Sequence, residues 1–420
     1  MIASRKEYDA IVIGGGPAGA TTASVLGQYG RHVLVLEKDS FPRYHVGESL
    51  LPYCYFPLER IGALDKIKQH GFTQKYSVQF VSPRGKQSQP FYFFEHFDHE
   101  AAQTWQVWRD QFDNLLLDHA QESGAEVLQE TAAQELIEEN DAVAGVAAKT
   151  KEGQPFEARA PITIDASGRN AFSIGRHGWR KMDPELNKMA VWTYYKGAKR
   201  DTGYDEGATT VAFIPEKGWF WYIPLPGDTV SVGVVAERSY LLRHGRDPET
   251  IFNGEIHSNQ WIADHLSTGT PIGKYWATGE YSYRSEFCAR DGLVLTGDAF
   301  AFLDPVFSSG VFLALKGGEL AAESAECALR TGDTSAEHFT AYGETLCEMI
   351  EAMRKLVYAF YDVDFTFRQV LEDEPGLKGD LTDILIGNLK KDFNPLFEAV
   401  GNYAKLPEPL AHGRPVVPAA

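Results

Sequence analysis

The order of hydrophobic and polar residues predicts a β-α-β unit at the start of the chain. A short apolar run, Tyr8 to Ile13, ends at Gly14, and the segment from Ala18 to Tyr29 has helical character. A second apolar, β-branched run follows from His32 to Leu36. These elements fit within about thirty residues, the length of a parallel crossover unit, and such crossovers are almost always right-handed.

A mixed stretch follows this unit. The residues from Leu58 to His70 are predicted to form one helix, with Pro57 in its first turn. From Val78 to Phe93, aromatic and polar residues alternate, which predicts an antiparallel hairpin around residues 83–85. A further helix is expected from Gln111 to Ser123.

Strand-forming residues dominate the middle of the chain. Strands are expected after this helix as far as Ile164, and Trp, Tyr, Phe and Val are abundant in Thr209 to Val235 and in Tyr275 to Tyr283. This part of the sequence predicts a second, mostly antiparallel sheet.

The buried-strand pattern of the first unit returns late in the chain, from Asp291 to Ala299. A helix of small and apolar residues is predicted from Gly310 to Leu329, and the pattern is helical from Ala336 onward. The first domain is therefore expected to be discontinuous, interrupted by the second sheet and followed by helices.

The composition and net charge of the chain disfavour some classes of binding partner. The chain has 420 residues and a formal charge of −18, which disfavours nucleic acid and anionic membranes because phosphate contacts need a basic face. Four widely spaced cysteines indicate neither a metal site nor a disulfide framework. The charged stretch Met1 to Glu7 lacks the features of a secretory signal, and no apolar run approaches the roughly 20 residues that span a bilayer. We expect a soluble, cytoplasmic enzyme.

A glycine-rich turn carries the first functional signal. Residues 14–19 fit the pattern G-x-G-x-x-G between a strand and a helix, which is the context of a dinucleotide-binding site. Gly14 would permit the tight turn, Gly16 would let a pyrophosphate approach the helix N-terminus, and Gly19 would allow close packing. Glu37 ends the second strand, 23 residues after Gly14, where a carboxylate can accept hydrogen bonds from ribose hydroxyls.

Two further segments resemble the superfamily of FAD-dependent monooxygenases and halogenases. Residues 107–113 match its V-x-R-x-x-F-D segment, and residues 295–299 match its G-D segment. The resemblance implies that Arg109 approaches FAD and that Asp298 contacts its ribityl and phosphate portion. A surface arginine and a helix N-cap are the alternative interpretations. A second G-x-G-x-x-G in strand–helix context is absent, which suggests that reduced flavin comes from a separate NAD(P)H-dependent reductase.

Four places resemble the reduced-flavin-dependent halogenases, in particular those of phenols and pyrroles. Residues 47–52 read G-E-S-L-L-P, residues 219–224 match W-x-W-x-I-P, and residues 304–310 match D-P-x-x-S-S-G. Lys75 matches the position of the catalytic lysine of these enzymes. A loop with a helix cap, a buried aromatic strand, an N-cap serine and a solvated lysine are the corresponding structural alternatives.

The resemblance to halogenases implies a role for each place. The residues implied to form a barrier between flavin and organic substrate are Trp219, Trp221, Ile223 and Pro224. Ser309 and Gly310 would hold chloride or bromide, because backbone N–H groups at a helix N-terminus favour an anion. Lys75 would pass electrophilic halogen to the substrate, since a lysine in a water-poor pocket can act as donor or nucleophile.

The predicted function is that of a halogenase which uses reduced FAD and O2 to form hypohalous acid and halogenates an electron-rich aromatic ring. No substrate-side carboxylate is evident, which favours phenolic or pyrrolic rings, free or attached to a carrier protein. The alternative functions are those of a geranylgeranyl-reductase-like enzyme and of an aromatic hydroxylase. A flavin-binding scaffold without catalytic activity is a third alternative.

The expected fold is α/β, with a Rossmann-like FAD-binding domain of the p-hydroxybenzoate hydroxylase type, a mostly antiparallel substrate sheet and a C-terminal helical extension. The FAD domain is assigned to residues 1–80, 105–180 and 286–330, the substrate domain to 81–104 and 181–285, and the helical region to 331–420. The motifs and the resemblance assign the cofactor contacts to Gly14, Gly16, Pro17, Ala18, Gly19, Glu37, Lys38, Arg43, Ser49, Arg109, Asp298, Pro305, Gly310 and Val311.

Overall fold

The computed structural model describes residues 7–279, 282–362, 365–411 and 413–416. Residues 1–6 of the charged N-terminal stretch, and residues 280 and 281 within the predicted strand region, lie outside the described residues. The strands are β1 (Ala10–Ile13), β2 (Val33–Leu36), β3 (Thr73–Lys75), β4 (Ser77–Val81), β5 (Phe91–Tyr92), β6 (Thr104–Gln106), β7 (Glu126–Leu128), β8 (Thr131–Glu139), β9 (Ala142–Thr150), β10 (Pro155–Arg159), β11 (Ile162–Asp165), β12 (Arg180–Met182), β13 (Lys188–Lys196), β14 (Thr209–Phe213), β15 (Trp219–Leu225), β16 (Thr229–Glu237), β17 (Thr270–Thr278), β18 (Tyr283–Ser285), β19 (Ala289–Arg290), β20 (Leu293–Leu295) and β21 (Ala301–Phe302).

Helices surround and follow these strands. They are α1 (Pro17–Gln28), α2 (Tyr55–Ile61), α3 (Leu64–Gln69), α4 (Arg109–Glu122), α5 (Phe172–His177), α6 (Arg238–Leu241), α7 (Pro248–Glu255), α8 (Gln260–Leu266), α9 (Gly310–Thr331), α10 (Thr340–Tyr361), α11 (Phe367–Asp373), α12 (Lys378–Ile386) and α13 (Asn394–Gly401). Short 3-10 helices include Gly297–Ala299 and Pro305–Phe307, which lie next to the site described below.

The predicted β-α-β unit is the centre of a six-stranded sheet with the order β19-β20-β11-β1-β2-β7. All its pairings are parallel except that of β19 with β20. Every residue of β1 is buried, because both faces of the sheet are covered. Ala10 and Val12 pack on the helical side with α1, whereas Ile11 and Ile13 pack against the three-stranded sheet β10-β9-β8. The predicted α/β fold is confirmed.

A second sheet of seven strands has the order β17-β13-β16-β15-β14-β4-β5. Its pairings are antiparallel apart from that of β14 with β4, which agrees with the mostly antiparallel sheet expected from the sequence. One face packs on the main core and on the cleft, and the other face packs on α7 and α8. Consecutive side chains of β15 therefore enter different cores, because side chains alternate along a strand.

One predicted helix is wrong in detail. The segment from Leu58 to His70 forms two helices, α2 and α3, because Gly62 takes a left-handed conformation with φ of 84° and ends α2. The hairpin around residues 83–85 is confirmed, with Val78 opposite Phe91. The strand predicted to begin at Tyr275 begins earlier, in β17. No pattern had indicated α7 and α8.

The C-terminal part is helical, as predicted. The buried face of α10 includes Leu346, Ile350 and Met353, which keep a helical spacing. The helix α9 lies close to α1, because a Cβ atom added to Gly318 would meet the carbonyl oxygen of Ala18 at 2.4 Å. Across the described residues, we find no helix with the length and apolar character needed to cross a bilayer.

Candidate flavin and halide site

A cleft of about 370 Å³ lies between the parallel sheet and the second sheet. Most of the site residues predicted from the sequence line it, although they come from distant parts of the chain. These residues are Gly14, Gly16, Pro17, Ala18, Glu37, Lys38, Arg43, Ser49, Arg109, Trp219, Trp221, Ile223, Asp298, Pro305, Gly310 and Val311. The predicted site residues that do not line the cleft are Gly19, Lys75, Pro224 and Ser309.

The glycine-rich turn has the geometry that a dinucleotide needs. Gly14 has φ of +104°, and a Cβ atom there would meet the carbonyl oxygen of Ala166 at 2.4 Å. A Cβ atom on Gly19 would lie 1.9 Å from the oxygen of Gly14, so this glycine permits close packing rather than cofactor contact. At Gly16 the nearest atom to such a Cβ belongs to Arg43, at 3.4 Å. The start of α1 is thus open on the side where a pyrophosphate would lie.

Acidic and basic groups are fixed along the cleft. The carboxylate of Glu37 accepts hydrogen bonds from the N–H of Gly15 at 2.7 Å and the N–H of Asp39 at 2.8 Å, and Glu37 lines the cleft. Arg109 is only 6% exposed and forms two hydrogen bonds to Asp113, at 2.8 and 3.0 Å. Burial opposes the charge of Asp113, but the Arg109 guanidinium outweighs it and holds the pKa of the Asp113 carboxyl below its ordinary value.

Asp298 lies inside the short helix Gly297–Ala299, whose N-cap is Thr296, so it does not act as the N-cap that the sequence left open. Burial raises the pKa of its carboxyl to about 6, against the opposing charges of Arg169 and Arg109. A hydrogen-bonding ligand at this position would stabilise the ionised carboxylate.

The strand β15 places two indoles on the wall of the cleft. Trp219, Trp221 and Ile223, at every second position, line the cleft, whereas Pro224, the residue after Ile223, does not. The rings of Trp219 and Trp221 lie 6.2 Å apart, centre to centre. A Cβ atom on Gly233 of the next strand would lie 2.3 Å from the ring of Trp221, so only glycine leaves room for this indole.

The N-terminus of α9 lies at the opposite wall. Gly310 and Val311 line the cleft, and within the described part of the chain their N–H groups have no hydrogen-bond acceptor. Ser309 is buried, at 2% exposure, and does not line the cleft. Its neighbour Ser308 does, because a left-handed backbone with φ of 56° turns it inward. The assignment of Ser309 to the halide stays a prediction, and Ser308 is the serine of the pair that lines the cleft.

Lys75 lies behind this wall, in a second and smaller cavity of about 20 Å³. Its side chain is 1% exposed, and its Nζ donates to Ser49 Oγ at 2.9 Å and to the carbonyl oxygen of Leu50 at 3.1 Å. Burial lowers the pKa of the Lys75 ammonium to about 7. The solvated lysine that was the structural alternative is therefore wrong.

The two cavities share part of their walls. Thr209, Val306 and Ser308 line both of them. The remaining walls of the small cavity are apolar and are formed by Leu51, Val78, Phe80, Phe91, Phe93, Phe307 and Leu385. Three residues thus line both the cleft and the cavity of Lys75, and Ser49, which accepts from Lys75 Nζ, also lines the cleft.

Comparison with known proteins decides the family. The family described as tryptophan halogenase matches residues 95–369, and that described as FAD dependent oxidoreductase matches residues 9–173. The chain belongs to the flavin-dependent halogenases. The resemblance inferred from the motifs is confirmed, as are FAD and halide as the cofactor and inorganic substrate of this enzyme.

Several relatives and solved structures are similar to this halogenase. The 1H-pyrrole-2-carbonyl-[peptidyl-carrier protein] chlorinase of Pseudomonas fluorescens is 30% identical, with 92% of this chain and 90% of that protein covered. The corresponding brominase of Pseudoalteromonas luteoviolacea is 32% identical over 78% of this chain and 79% of its own. The structure of the flavin-dependent brominase Bmp2 has a TM-score of 0.86 at 27% identity, covering 94% and 98% of the two chains. The myxobacterial chondrochloren halogenase CndH has a TM-score of 0.80 at 29% identity, covering 94% and 93%.

One residue that contacts the site from a distant part of the halogenase chain, Tyr361, was not predicted from the sequence. Tyr361 of α10 accepts a hydrogen bond from Trp219 Nε1 at 2.8 Å and donates one to Asp304 at 2.9 Å. Asp304 in turn accepts from the N–H of Val306, at the start of the turn that leads to α9. The aromatic composition of residues 358–367 was the available signal, but it did not distinguish core from site.

Proposed function

We propose that this halogenase uses reduced FAD and O2 to form hypohalous acid in the cleft, and that Lys75 transfers electrophilic halogen to an electron-rich aromatic ring in the adjoining cavity. When bound, the reduced flavin supplies the electrons that, with O2, oxidise the halide. The observation that carries the proposal is the buried amine of Lys75 in an apolar cavity that shares its wall with the cleft.

The halide site is proposed at the first turn of α9. The N–H groups of Gly310 and Val311 lack acceptors among the described residues, and they lie at the positive end of a helix of 22 residues. Ser308 has its hydroxyl on the same wall and is the better candidate for a side-chain ligand than Ser309. A chloride or bromide here would lie at the junction of the two cavities.

In this proposal, the wall formed by Trp219 and Trp221 separates the organic substrate from the flavin. Trp219 and Trp221 are almost fully buried and close one side of the cleft, so a bulky organic molecule would be kept from the flavin. Hypohalous acid is small enough to pass between neighbouring side chains. We place the passage toward Lys75 along Thr209, Val306 and Ser308, because these residues line both cavities.

The lowered pKa gives Lys75 its chemical role. With a pKa of about 7, a large fraction of the amine is neutral at neutral pH and has a free electron pair. A neutral amine can capture halogen as a haloamine, and the ammonium form can instead polarise hypohalous acid by hydrogen bonding. Either way, the halogen is held at a fixed point next to the ring.

The cavity around Lys75 favours an uncharged ring as substrate. Among the described residues, its other walls are hydrocarbon and hydroxyl groups, so Lys75 is the one charged group there that could pair with a carboxylate. A volume of about 20 Å³ holds little more than a water molecule, so side chains must move to admit a ring. We propose a phenolic or pyrrolic substrate. The pyrrole substrates in the names of two relatives are attached to a carrier protein, and we propose testing both free and carrier-bound rings.

The test uses the purified enzyme with FAD, a separate NADH-dependent flavin reductase, and chloride or bromide. Phenols, indoles and pyrroles, free and carrier-bound, are analysed by mass spectrometry for halogen isotope patterns. Lys75→Met is expected to bind FAD normally and to form no halogenated product. The matched control is Lys66→Met, which removes a surface lysine that pairs with Glu122. Oxygenated or saturated products without halogen would instead indicate a hydroxylase or a geranylgeranyl-reductase-like enzyme.

A further inference from the structure

A buried carboxyl group in the cleft has no role in the reaction described so far. Glu48 is 1% exposed, lines the cleft, and directly precedes Ser49, the hydrogen-bond partner of Lys75. Its Oε2 accepts from the N–H of Gly47 at 3.1 Å, and its Oε1 accepts from the hydroxyl of Tyr194 at 2.7 Å. The carboxyl group is therefore held in the cleft wall by two hydrogen bonds.

A chain of hydroxyl groups leads away from Glu48. The hydroxyl oxygens of Tyr194 and Tyr44 are 3.1 Å apart, and Trp192 Nε1 donates to the Tyr44 oxygen at 2.6 Å. Each phenol has a single proton, so all contacts are satisfied when Tyr44 donates to Tyr194 and Tyr194 donates to Glu48. Tyr44 is 42% exposed and stacks on Trp276 of the edge strand β17. The chain thus connects an exposed phenol with the buried carboxyl group.

Burial and the neighbouring groups act in opposite directions on the carboxyl of Glu48. Burial raises the pKa of its carboxyl, against the hydrogen bonds from Tyr194 and the backbone and the charge of Arg109. The charge of Arg109 is largely balanced by its ion pair with Asp113. His45 of the same loop does not add a positive charge near neutral pH, because burial lowers the pKa of its ring to about 4.

We infer that Glu48 supplies the proton consumed by halide oxidation and that Tyr194 and Tyr44 return a proton to it. This inference rests on the proposed function. The balanced reaction is FADH2 + O2 + X⁻ + H⁺ → FAD + HOX + H2O. The O–O bond breaks, an O–X bond forms, and the O–H bond of Glu48 breaks as its proton leaves in the water. Glu48 lines the cleft, so it can deliver this proton where the halide is oxidised.

The first test replaces the acid by an amide of the same shape. In Glu48→Gln, the side-chain oxygen can still accept from Tyr194, but no acidic proton is present. The expected result is normal FAD affinity and halogenation slower by about 100-fold or more, the usual contribution of a general acid. The matched control is Glu255→Gln. Glu255 is also buried and accepts from the hydroxyl of Tyr240 at 3.2 Å, but it lies outside the cleft.

The second test needs neither flavin nor turnover. Infrared difference spectra near neutral pH should show the C=O band of a protonated carboxylic acid that is lost in Glu48→Gln and retained in Glu255→Gln. In Tyr194→Phe, the loss of a hydrogen bond that lowers the pKa of Glu48 should move the titration of this band to higher pH.

Two results would overturn the inference about Glu48. One is halogenation by Glu48→Gln at nearly the wild-type rate, and the other is an infrared band that is the same in Glu48→Gln and wild type. A failure of the proposed halogenase function would give a different set of results. The wild-type enzyme would then form no halogenated product, whereas the infrared band would still report whether Glu48 holds a proton.

Discussion

Replacing Lys75 by methionine should make the protein more stable while removing its activity. Methionine has nearly the shape of lysine but no charge to bury. In the folded chain, burial lowers the pKa of the Lys75 amine from its ordinary 10.5 to about 7. This difference corresponds to about 5 kcal/mol of unfavourable free energy for the charged amine, since one pKa unit is about 1.4 kcal/mol.

The hydrogen bonds lost in Lys75→Met offset part of the stabilisation that comes from removing the buried charge. Lys75 Nζ donates to Ser49 Oγ and to the carbonyl oxygen of Leu50, and methionine donates to neither. Ser49 keeps a second partner, the hydroxyl of Thr209 at 2.8 Å, so mainly the buried oxygen of Leu50 loses a donor. An unsatisfied buried acceptor costs about 1–3 kcal/mol. The net stabilisation expected at neutral pH is therefore about 2–4 kcal/mol.

The difference in free energy of unfolding between Lys75→Met and wild type should depend on pH, which gives a sharper test. Between pH 7 and 10.5, the unfolded chain holds a proton on Lys75 that the folded chain does not, so the wild-type free energy of unfolding gains a rising contribution. Below pH 7 the amine is charged in both states, and its penalty is fully present. Because Lys75→Met lacks this group, its advantage should be largest below about pH 7 and should disappear by about pH 10.

The assay is equilibrium unfolding in urea of wild type, Lys75→Met and the surface control Lys66→Met at a series of pH values. All other titrating groups are shared, so the difference between variants isolates Lys75. A Lys75→Met protein that is less stable than wild type at neutral pH, or a difference that does not change with pH, would refute the reasoning.

Three further changes test the walls of the site. Gly16→Val should weaken FAD binding at least tenfold, measured by flavin fluorescence, with unchanged thermal unfolding of the apoprotein, because its side chain would enter the open face of the turn. Tyr361→Phe removes the hydrogen bond to Asp304 and should lower stability by about 1–3 kcal/mol and release more hypohalous acid to a diffusible trap per product formed. Gly233→Ala should destabilise the fold by about 1–3 kcal/mol in urea unfolding, because its Cβ would overlap the ring of Trp221. An unchanged FAD affinity in Gly16→Val, or an unchanged stability in Tyr361→Phe or Gly233→Ala, would contradict the respective contact.

The sequence was informative where structure is set by local pattern. The β-α-β unit follows from alternating apolar runs and a glycine turn, all within a short stretch, and it is found as expected. The alternation of Trp219, Trp221 and Ile223 on β15 similarly follows from the two-residue period of a strand. The family could be inferred because its motifs are short and contiguous.

Contacts between distant segments were not predictable in this way. The hydrogen bond between Glu48 and Tyr194 joins residues 146 positions apart, and no periodic pattern encodes such a contact. Which of the two serines lines the cleft depends on the left-handed backbone of Ser308, a conformation that is uncommon for a residue other than glycine. The break at Gly62 has a local cause instead, since a glycine in the left-handed conformation ends α2.

The proposed reaction and the stability of the fold favour different side chains at position 75. A hydrocarbon at position 75 would fill the apolar cavity with no desolvation penalty, whereas the proposed halogen transfer needs an amine there. The burial that destabilises the charged form of Lys75 also produces the neutral amine that the proposed transfer needs, because both effects are the same change in pKa. A variant that restored an ordinary lysine pKa by admitting water should therefore gain stability and lose transfer of halogen, even with Lys75 in place.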